Sequence, residues 1–324
     1  MKTTFVILAL TTVLFASYTV EKSSITVGYC TGDANEAAAL ANTVLLLGFN
    51  AYQSSLLTAA DFASHHCQVV FGYNGSSAVT GWSAEMTGPG RGYIQVCNFG
   101  WGFFNCSRST IDEGTLVTVS NISQSHELTT FPFVIPATWN LTHGLCVYSH
   151  PNQDYLANCS EGTVPVLGAT AGDGVNCAKA LTAKYNGIGR GVWYAWCNYG
   201  NSSTLNDRHL TENAIIYAAQ PPKADAGGPY TGYVDNPVTL DASASTDNGS
   251  ITNYEWDING DGSYDFAVTT PITTYTWTAP YTGIIRVRCT DNIFGKSYSE
   301  TTATIIGNSD VRDTSIGVIK SKYQ

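Results

Sequence analysis

The chain has 324 residues, room for two domains of ordinary size, each with its own core. Only 12% of its residues are charged, while 31 are Gly and 19 are Tyr, so Ser, Thr, Asn and Gly supply its polarity, as in rigid β-rich extracellular proteins. A formal net charge of −10 argues against nucleic acid and anionic membrane partners, and no apolar run reaches the roughly 18 residues of an ordinary membrane span.

Met1-Lys2-Thr3-Thr4 is followed by the apolar segment Phe5 to Ala16, one positive charge ahead of a short hydrophobic core. This pattern predicts a secretory signal within a leader and arm spanning residues 1–24, although Leu14 departs from the small-x-small rule before Ala16. The alternative is a retained hydrophobic arm used in assembly. In an exported chain the nine cysteines read first as disulfides. Eight of them (Cys30, Cys67, Cys97, Cys106, Cys146, Cys159, Cys177 and Cys197) precede residue 200, and Cys289 stands apart. Their spacing does not suit zinc. Seven Asn-x-Ser/Thr sequons, at Asn74, Asn105, Asn121, Asn140, Asn158, Asn201 and Asn248, predict N-linked glycans at several sites.

Ile25 to Cys30 reads as a first strand, and Ala34 to Leu47 as a helix opened by an Asp33/Glu36 capping box and closed by Gly48. Asn50 to Gln53 and Cys67 to Tyr73 are further strands around a brief helix from Thr58 to Ser64, with a helical turn to follow at Ser83 to Thr87. This βαβαβ order predicts a doubly wound, flavodoxin-like α/β domain. Gly92 to Val96 is a buried strand running into Cys97-Asn98-Phe99-Gly100, and the motif recurs where Val192 to Trp196 runs into Cys197-Asn198-Tyr199-Gly200.

Leu116 to Ser120, Leu145 to Ser149 and Val164 to Ala169 are short strands. Ala180 to Tyr185 and Val192 to Cys197 form a hairpin about Gly187-Ile188-Gly189. Asn206 to Ala219 is an amphipathic helix with Leu210, Ala214, Ile215 and Ala218 on one face. The first domain thus spans residues 25–220, and Pro221-Pro222-Lys223 is a stiff linker.

From Ala224 onward short alternating strands, among them Ile285, Val287 and Cys289, predict an all-β Ig-like sandwich over residues 224–306, with a tail at 307–324. The lead Ala226-Gly227-Gly228-Pro229-Tyr230, the segment Leu240-Asp241-Ala242-Ser243-Ala244-Ser245, the turn from Tyr254-Glu255-Trp256-Asp257 to Asn259-Gly260-Asp261-Gly262 and the strand end Arg288-Cys289-Thr290-Asp291-Asn292 carry a resemblance. This region resembles a polycystic-kidney-disease (PKD) domain, which implies a spacer or interaction module. Within it Asp257, Asn259, Asp261 and Asp265 hold positions 1, 3, 5 and 9 of a calcium-loop pattern, with Gly262 at position 6 and Val268 where an EF-hand has glutamate. A weak calcium site is one reading, and an Asx turn capping its own backbone the other. No organic cofactor is implied.

The strand layout of residues 25–219 and the loop Ser125-His126-Glu127-Leu128-Thr129 resemble a class I glutamine amidotransferase-like domain. The resemblance puts Cys97 at the nucleophile elbow, but Cys197-Asn198-Tyr199 stands where the family carries His-x-Glu, which implies a degenerate site. It also implies that the two turns meet, so that Cys97 and Cys197 form a disulfide, with Cys97–Cys106 as the rival pairing. The catalytic alternative pairs Cys97 with His150. His209 is expected to face solvent. Trp82, Trp101, Phe103 and Phe104 offer a third reading, a sugar-stacking surface.

These readings point to a secreted, N-glycosylated structural or adhesion protein, a non-catalytic surface-layer or filament subunit. Its expected partners are copies of itself or other extracellular surface proteins. The segments Ser17 to Ser24 and Ser309 to Gln324 are expected to mediate assembly by completing the edge of a neighbouring sheet. The alternatives are a secreted cysteine-dependent amidase or hydrolase with an accessory PKD domain, and a carbohydrate-binding module.

Overall fold

The computed structural model describes residues 18–30, 34–53, 65, 67–71, 92–96, 107–112, 116–121, 124–142, 152–157, 163–169, 181–186, 189–194 and 205–307. The expected helices at Thr58 to Ser64 and Ser83 to Thr87, the strand at Leu145 to Ser149 and the tail beyond residue 307 lie outside these residues.

The first unit is built on a nine-stranded sheet. In chain order it uses β2 (Thr26–Cys30), α1 (Ala34–Leu46), β3 (Asn50–Gln53), β4 (Cys67–Phe71) and β5 (Gly92–Val96). Then follow β6 (Ser107–Asp112), β7 (Leu116–Asn121), α2 (Glu127–Thr130), β8 (Thr138–Thr142), β9 (Asn152–Ala157), β10 (Thr163–Ala169), β11 (Leu181–Asn186), β12 (Gly189–Tyr194) and α3 (Leu205–Ala219). The sheet order is β3-β2-β4-β5-β12-β11-β10-β7-β8, and β6 pairs with β9 apart from it. Strands β3, β2, β4, β5 and β12 run parallel, whereas β11, β10, β7 and β8 are joined antiparallel.

The sheet therefore differs from the doubly wound one expected, because only half of it is parallel. The physical reason is loop length. A tight connection such as the one between β11 and β12 can only join antiparallel strands, while parallel neighbours need a long crossover such as the one through α1.

On the parallel half, Ile25, Val27, Leu40, Val44 and Phe49 form a buried layer between β2 and α1. Burying each such side chain stabilises by about 1.5–3 kcal/mol. Gly48 takes φ +92° just past α1, the left-handed conformation that ends helices. Helix α3 lies so close to β5 that a Cβ on Gly92 would sit 1.9 Å from the Ala218 carbonyl oxygen. The residues expected on its apolar face (Leu210, Ala214, Ile215, Ala218) are buried, but so is every residue from Glu212 to Ala219. The reason is that α3 is covered on several sides: β5 and β12 pack against it, and so does α2 with the loop that follows it.

The second unit is a β-sandwich of β13 (Tyr230–Tyr233), β14 (Pro237–Asp241), β15 (Ile251–Asp257), β16 (Phe266–Val268), β17 (Ile272–Thr276), β18 (Tyr281–Asp291) and β19 (Lys296–Ile306). One sheet runs β19-β18-β15-β16 with β13 also on β19, and β14 with β17 forms the other. Trp256, Leu240, Ile285, Val287, Cys289 and Ala303 are fully buried between them, so the alternation along β18 has its cause in the core. The glycines of the lead segment are required by geometry. Gly227 and Gly228 have φ of +60° and +77°, and a Cβ on Gly227 would lie 2.3 Å from the Asp241 carbonyl oxygen. That approach lets the Tyr230 hydroxyl donate to the Ala226 carbonyl at 2.7 Å and accept from the Asp241 N–H at 2.9 Å.

Ahead of the first unit lies β1 (Tyr18–Val20), a strand within the segment expected to be an arm. It pairs antiparallel with β19, Tyr18 opposite Ser299 and Val20 opposite Ser297, and so extends the sheet of the distant sandwich. No pattern in three residues could have announced that partner.

Candidate functional site

The features that sequence reading placed in separate regions converge where β1, α2, β12 and α3 meet the sandwich. The link from β1 into β2 is fastened on both sides. Glu21 N–H donates to the Lys296 carbonyl at 2.9 Å and Lys296 N–H donates to Ser24 Oγ at 2.9 Å. The Arg288 guanidinium, which forks onto Glu255 with two bonds of 2.8 Å, also reaches Glu21 Oε1 at 3.3 Å. On the other side Lys22 Nζ contacts Glu212 Oε1 of α3 at 3.0 Å.

Pro221 and Pro222, expected as part of a stiff linker, are buried. The Pro222 carbonyl accepts from Ser297 Oγ, which in turn accepts from Ala224 N–H at 3.1 Å. Lys223 forms a two-bond bridge with Thr246.

At the centre is Glu127, delivered by the Ser-His-Glu-Leu-Thr loop. His126 caps α2 by accepting the Leu128 N–H on Nδ1 at 3.2 Å, and burial lowers its imidazole pKa, which favours the neutral ring. Fully buried Asn213 holds the loop to α3: its Nδ2 donates to the Leu128 and Phe133 carbonyls at 2.9 and 2.8 Å, and its Oδ1 accepts from Phe133 N–H at 3.1 Å. Glu127 Oε2 lies 2.9 Å from Arg190 Nη1 of β12, and Oε1 lies 3.2 Å from Lys223 Nζ. Burial alone would raise this carboxyl, but the charges and hydrogen bonds of Arg190 and Lys223 outweigh it and hold it below the usual range. The Arg190 guanidinium also stands 4.4 Å over the Tyr217 ring. Tyr18 stacks on Phe131 at 4.5 Å, and burial, helped by the Glu127 charge, raises its phenol.

Beside this network is a cavity of about 220 Å³ lined by Tyr18, Glu127, Arg190, Lys223, Asp247 and Asn248, among others. Asp247 Oδ1 and Asn248 Nδ2 are buried without a hydrogen-bond partner. Near Asp247 is Asp291, 2% exposed, whose Oδ1 accepts from the Ile293 and Gly295 N–H groups at 2.8 Å while its Oδ2 has no partner. Burial, against those two hydrogen bonds, raises the Asp291 carboxyl to about 7.

Of the residues singled out from the sequence, Cys97, Cys106, Cys197, His150, Asn74, Asn105, Asn158, Asn201, Trp82, Trp101, Phe103 and Phe104 lie outside the described residues. Asn121 ends β7 and Asn140 lies within β8. His209 is not turned freely to solvent, since its ring stacks 3.8 Å from Phe133 at an interplanar angle of 6°.

The Asp257 loop is closed by its own side chains. Asp257 is fully buried, and its Oδ1 accepts from Gly260 and Asn259 N–H at 2.7 and 3.3 Å. Its Oδ2 accepts from Gly262 N–H at 2.9 Å and lies 3.6 Å from Arg286 Nη1. Asp265 Oδ2 accepts from Ile258 N–H at 2.8 Å, and Asp261 Oδ1 from Ser263 N–H at 2.7 Å. These lone pairs face N–H groups and a guanidinium, the arrangement of an Asx turn that caps its own backbone. Among the described residues no group of three or more His, Cys, Asp or Glu side chains is arranged to hold a metal, and no helix is long and apolar enough to cross a membrane.

No family model and no curated relative matches the chain. Among solved structures it is similar to carbohydrate-binding modules of a β-sandwich superfamily, 33% identical over 28% of this chain and 36% of that one, with a TM-score of 0.25. It is also similar to the PKD1 domain of Vibrio anguillarum Epp, at 17% identity over 27% of this chain and 96% of that one, with a TM-score of 0.23. A PKD domain from the KIAA 1837 protein is 24% identical over 27% of this chain and 88% of that one, with a TM-score of 0.22. The small β-sandwich of the second unit is shown by its own strand pairing. Nothing in the comparisons supports the amidotransferase resemblance.

Proposed function

We propose that the protein is a secreted, N-glycosylated structural subunit of an extracellular surface, a layer, filament or adhesion element rather than an enzyme. One observation carries this reading: β1, which precedes the first unit, completes a sheet of the second, so the chain is fastened across its joint by strand pairing as well as by the covalent link. The contacts of Glu21, Lys22, Glu127 and Lys223 add charged ties at the same joint. Such a tie suits a part that bears load between neighbours and gains nothing from hinge motion. The weakly charged, sequon-rich composition suits a surface kept soluble by sugars. Copies of the same chain, or other surface proteins, are the natural partners.

Electron microscopy and sedimentation of the secreted protein test this reading. Ordered filaments or sheets are expected from the full chain, and dispersed particles from a chain lacking residues 309–324 that keeps its circular dichroism spectrum. A full chain that stays monomeric at every concentration overturns the reading.

A further inference from the structure

Of the seven sequons, Asn248-Gly249-Ser250 is set apart by its place. It lies on the loop between β14 and β15, two residues past the Thr246 bridge to Lys223, and Asn248 lines the joint cavity with Tyr18, Glu127 and Arg190. Its neighbours fix the loop: Asp247 Oδ2 accepts the Gly249 N–H at 2.8 Å, and Ser250 N–H reaches Asn292 Oδ1 at 3.5 Å. Asn248 Nδ2 is sealed from solvent and has no hydrogen-bond partner.

N-glycosylation joins that nitrogen to the anomeric carbon of a sugar. The C–O bond to a lipid-linked pyrophosphate donor breaks, the pyrophosphate leaves with the bonding pair, and the amide gives up one proton. The nitrogen must therefore be reachable, and afterwards the whole oligosaccharide must find room. A cavity of about 220 Å³ holds a handful of waters or a single sugar ring, since liquid water occupies roughly 30 Å³ per molecule. It cannot hold a branched chain, residues of both the sandwich and the first unit line it, and the Nδ2 atom itself is buried there.

We infer that Asn248 is a glycosylation site gated by the joint: a glycan on its Nδ2 and the docked arrangement of β1, α3 and the sandwich exclude each other, so the native closed protein leaves this sequon bare. The inference rests on the reading of the protein as an N-glycosylated one. It makes the modification state of Asn248 a record of whether the joint closed before the glycosylating enzyme arrived.

The experiment is site-resolved glycopeptide mass spectrometry on the full secreted chain, on Asn248→Gln, and on a Glu127→Ala/Tyr18→Ala variant that loosens the joint. In the wild type Asn248 is expected bare while other sequons carry glycan. Asn248→Gln is expected to lose the same mass on deglycosylation as the wild type. The loosened variant, if secreted, should carry glycan at Asn248. A glycan on Asn248 of compact wild-type protein, a smaller deglycosylation shift in Asn248→Gln, or a bare Asn248 in a loosened variant whose scattering profile is extended overturns the gate. Bare asparagine at all seven sequons overturns it together with the glycoprotein reading, whereas failure at Asn248 alone leaves that reading standing. The Asn248→Gln comparison decides the matter even where the loosened variant fails to fold.

Discussion

Val96 and Tyr194 are register partners in adjacent parallel strands, so β5 and β12, the strands that precede the two Cys-Asn-aromatic-Gly segments, end as neighbours. Cys97 is one residue beyond the first and Cys197 three beyond the second. A Cys97–Cys197 bridge is the expected pairing, closing a loop whose constraint on the unfolded chain stabilises by up to about 4.7 kcal/mol in the chain-entropy model. Non-reducing peptide mapping should return the two peptides linked. A Cys97–Cys106 peptide, or an alkylated Cys97, would rule the pairing out.

Glu127 should make the joint sensitive to acid. Its carboxyl is held below the usual range in the folded state, so its contribution is fully present above the unfolded carboxyl pKa and is lost as pH falls through the folded value. Glu127→Gln should lower stability by about 1–3 kcal/mol at neutral pH, because the charged contacts of the Glu127 carboxylate with Arg190 and Lys223 are lost. Melting curves at neutral pH and near pH 3 should show the gap between wild type and variant closing toward acid. A gap that is constant with pH would refute the electrostatic account.

Asp291 should act in the opposite sense. A carboxyl raised to about 7 binds its proton more tightly when folded, so stability declines as pH climbs from the unfolded carboxyl range through about 7. Asp291→Asn keeps an oxygen to accept from Ile293 and Gly295 and removes the buried charge. It should flatten the decline and raise the melting temperature at alkaline pH, by an amount on the order of 2–4 kcal/mol in stability. An unchanged profile would show that Asp291 ionises without penalty.

The Asp257 loop should be indifferent to calcium and intolerant of losing its aspartate. Asp257→Ala leaves the Gly260 and Gly262 N–H groups without their acceptor and should destabilise by roughly 2–4 kcal/mol. Calorimetry in chelator and in millimolar calcium should give superimposable transitions for the wild type. A calcium-dependent rise would show that the loop rearranges to bind the ion.

Gly92→Ala tests the packing of α3 on β5. The new methyl would overlap backbone rather than a side chain that could turn aside, so a loss above about 3 kcal/mol or failure to fold is expected. Near-native stability would mean that the helix can lift off the sheet.

The sequence by itself determined what depends on neighbours along the chain. The period of two along β18 placed Ile285, Val287 and Cys289 in the core, the strong helix formers after Asp33 gave α1, and Gly187-Ile188-Gly189 marked the β11–β12 hairpin.

Only the tertiary structure decided what depends on partners far away. Three residues, Tyr18 to Val20, carry no period long enough to read, and their place is fixed by the unpaired edge of β19 almost three hundred residues later. Glu127, Arg190 and Lys223 look like scattered surface charges in the sequence. They become one site because α2, β12 and the Pro-Pro link bring them within hydrogen-bond distance. Asp257 shows the limit from the other side. Its spacing from Asn259, Asp261 and Asp265 suits calcium and a self-capped turn equally well, and only the fold brings the Gly260 and Gly262 N–H groups and the Arg286 side chain from β18 to its carboxylate.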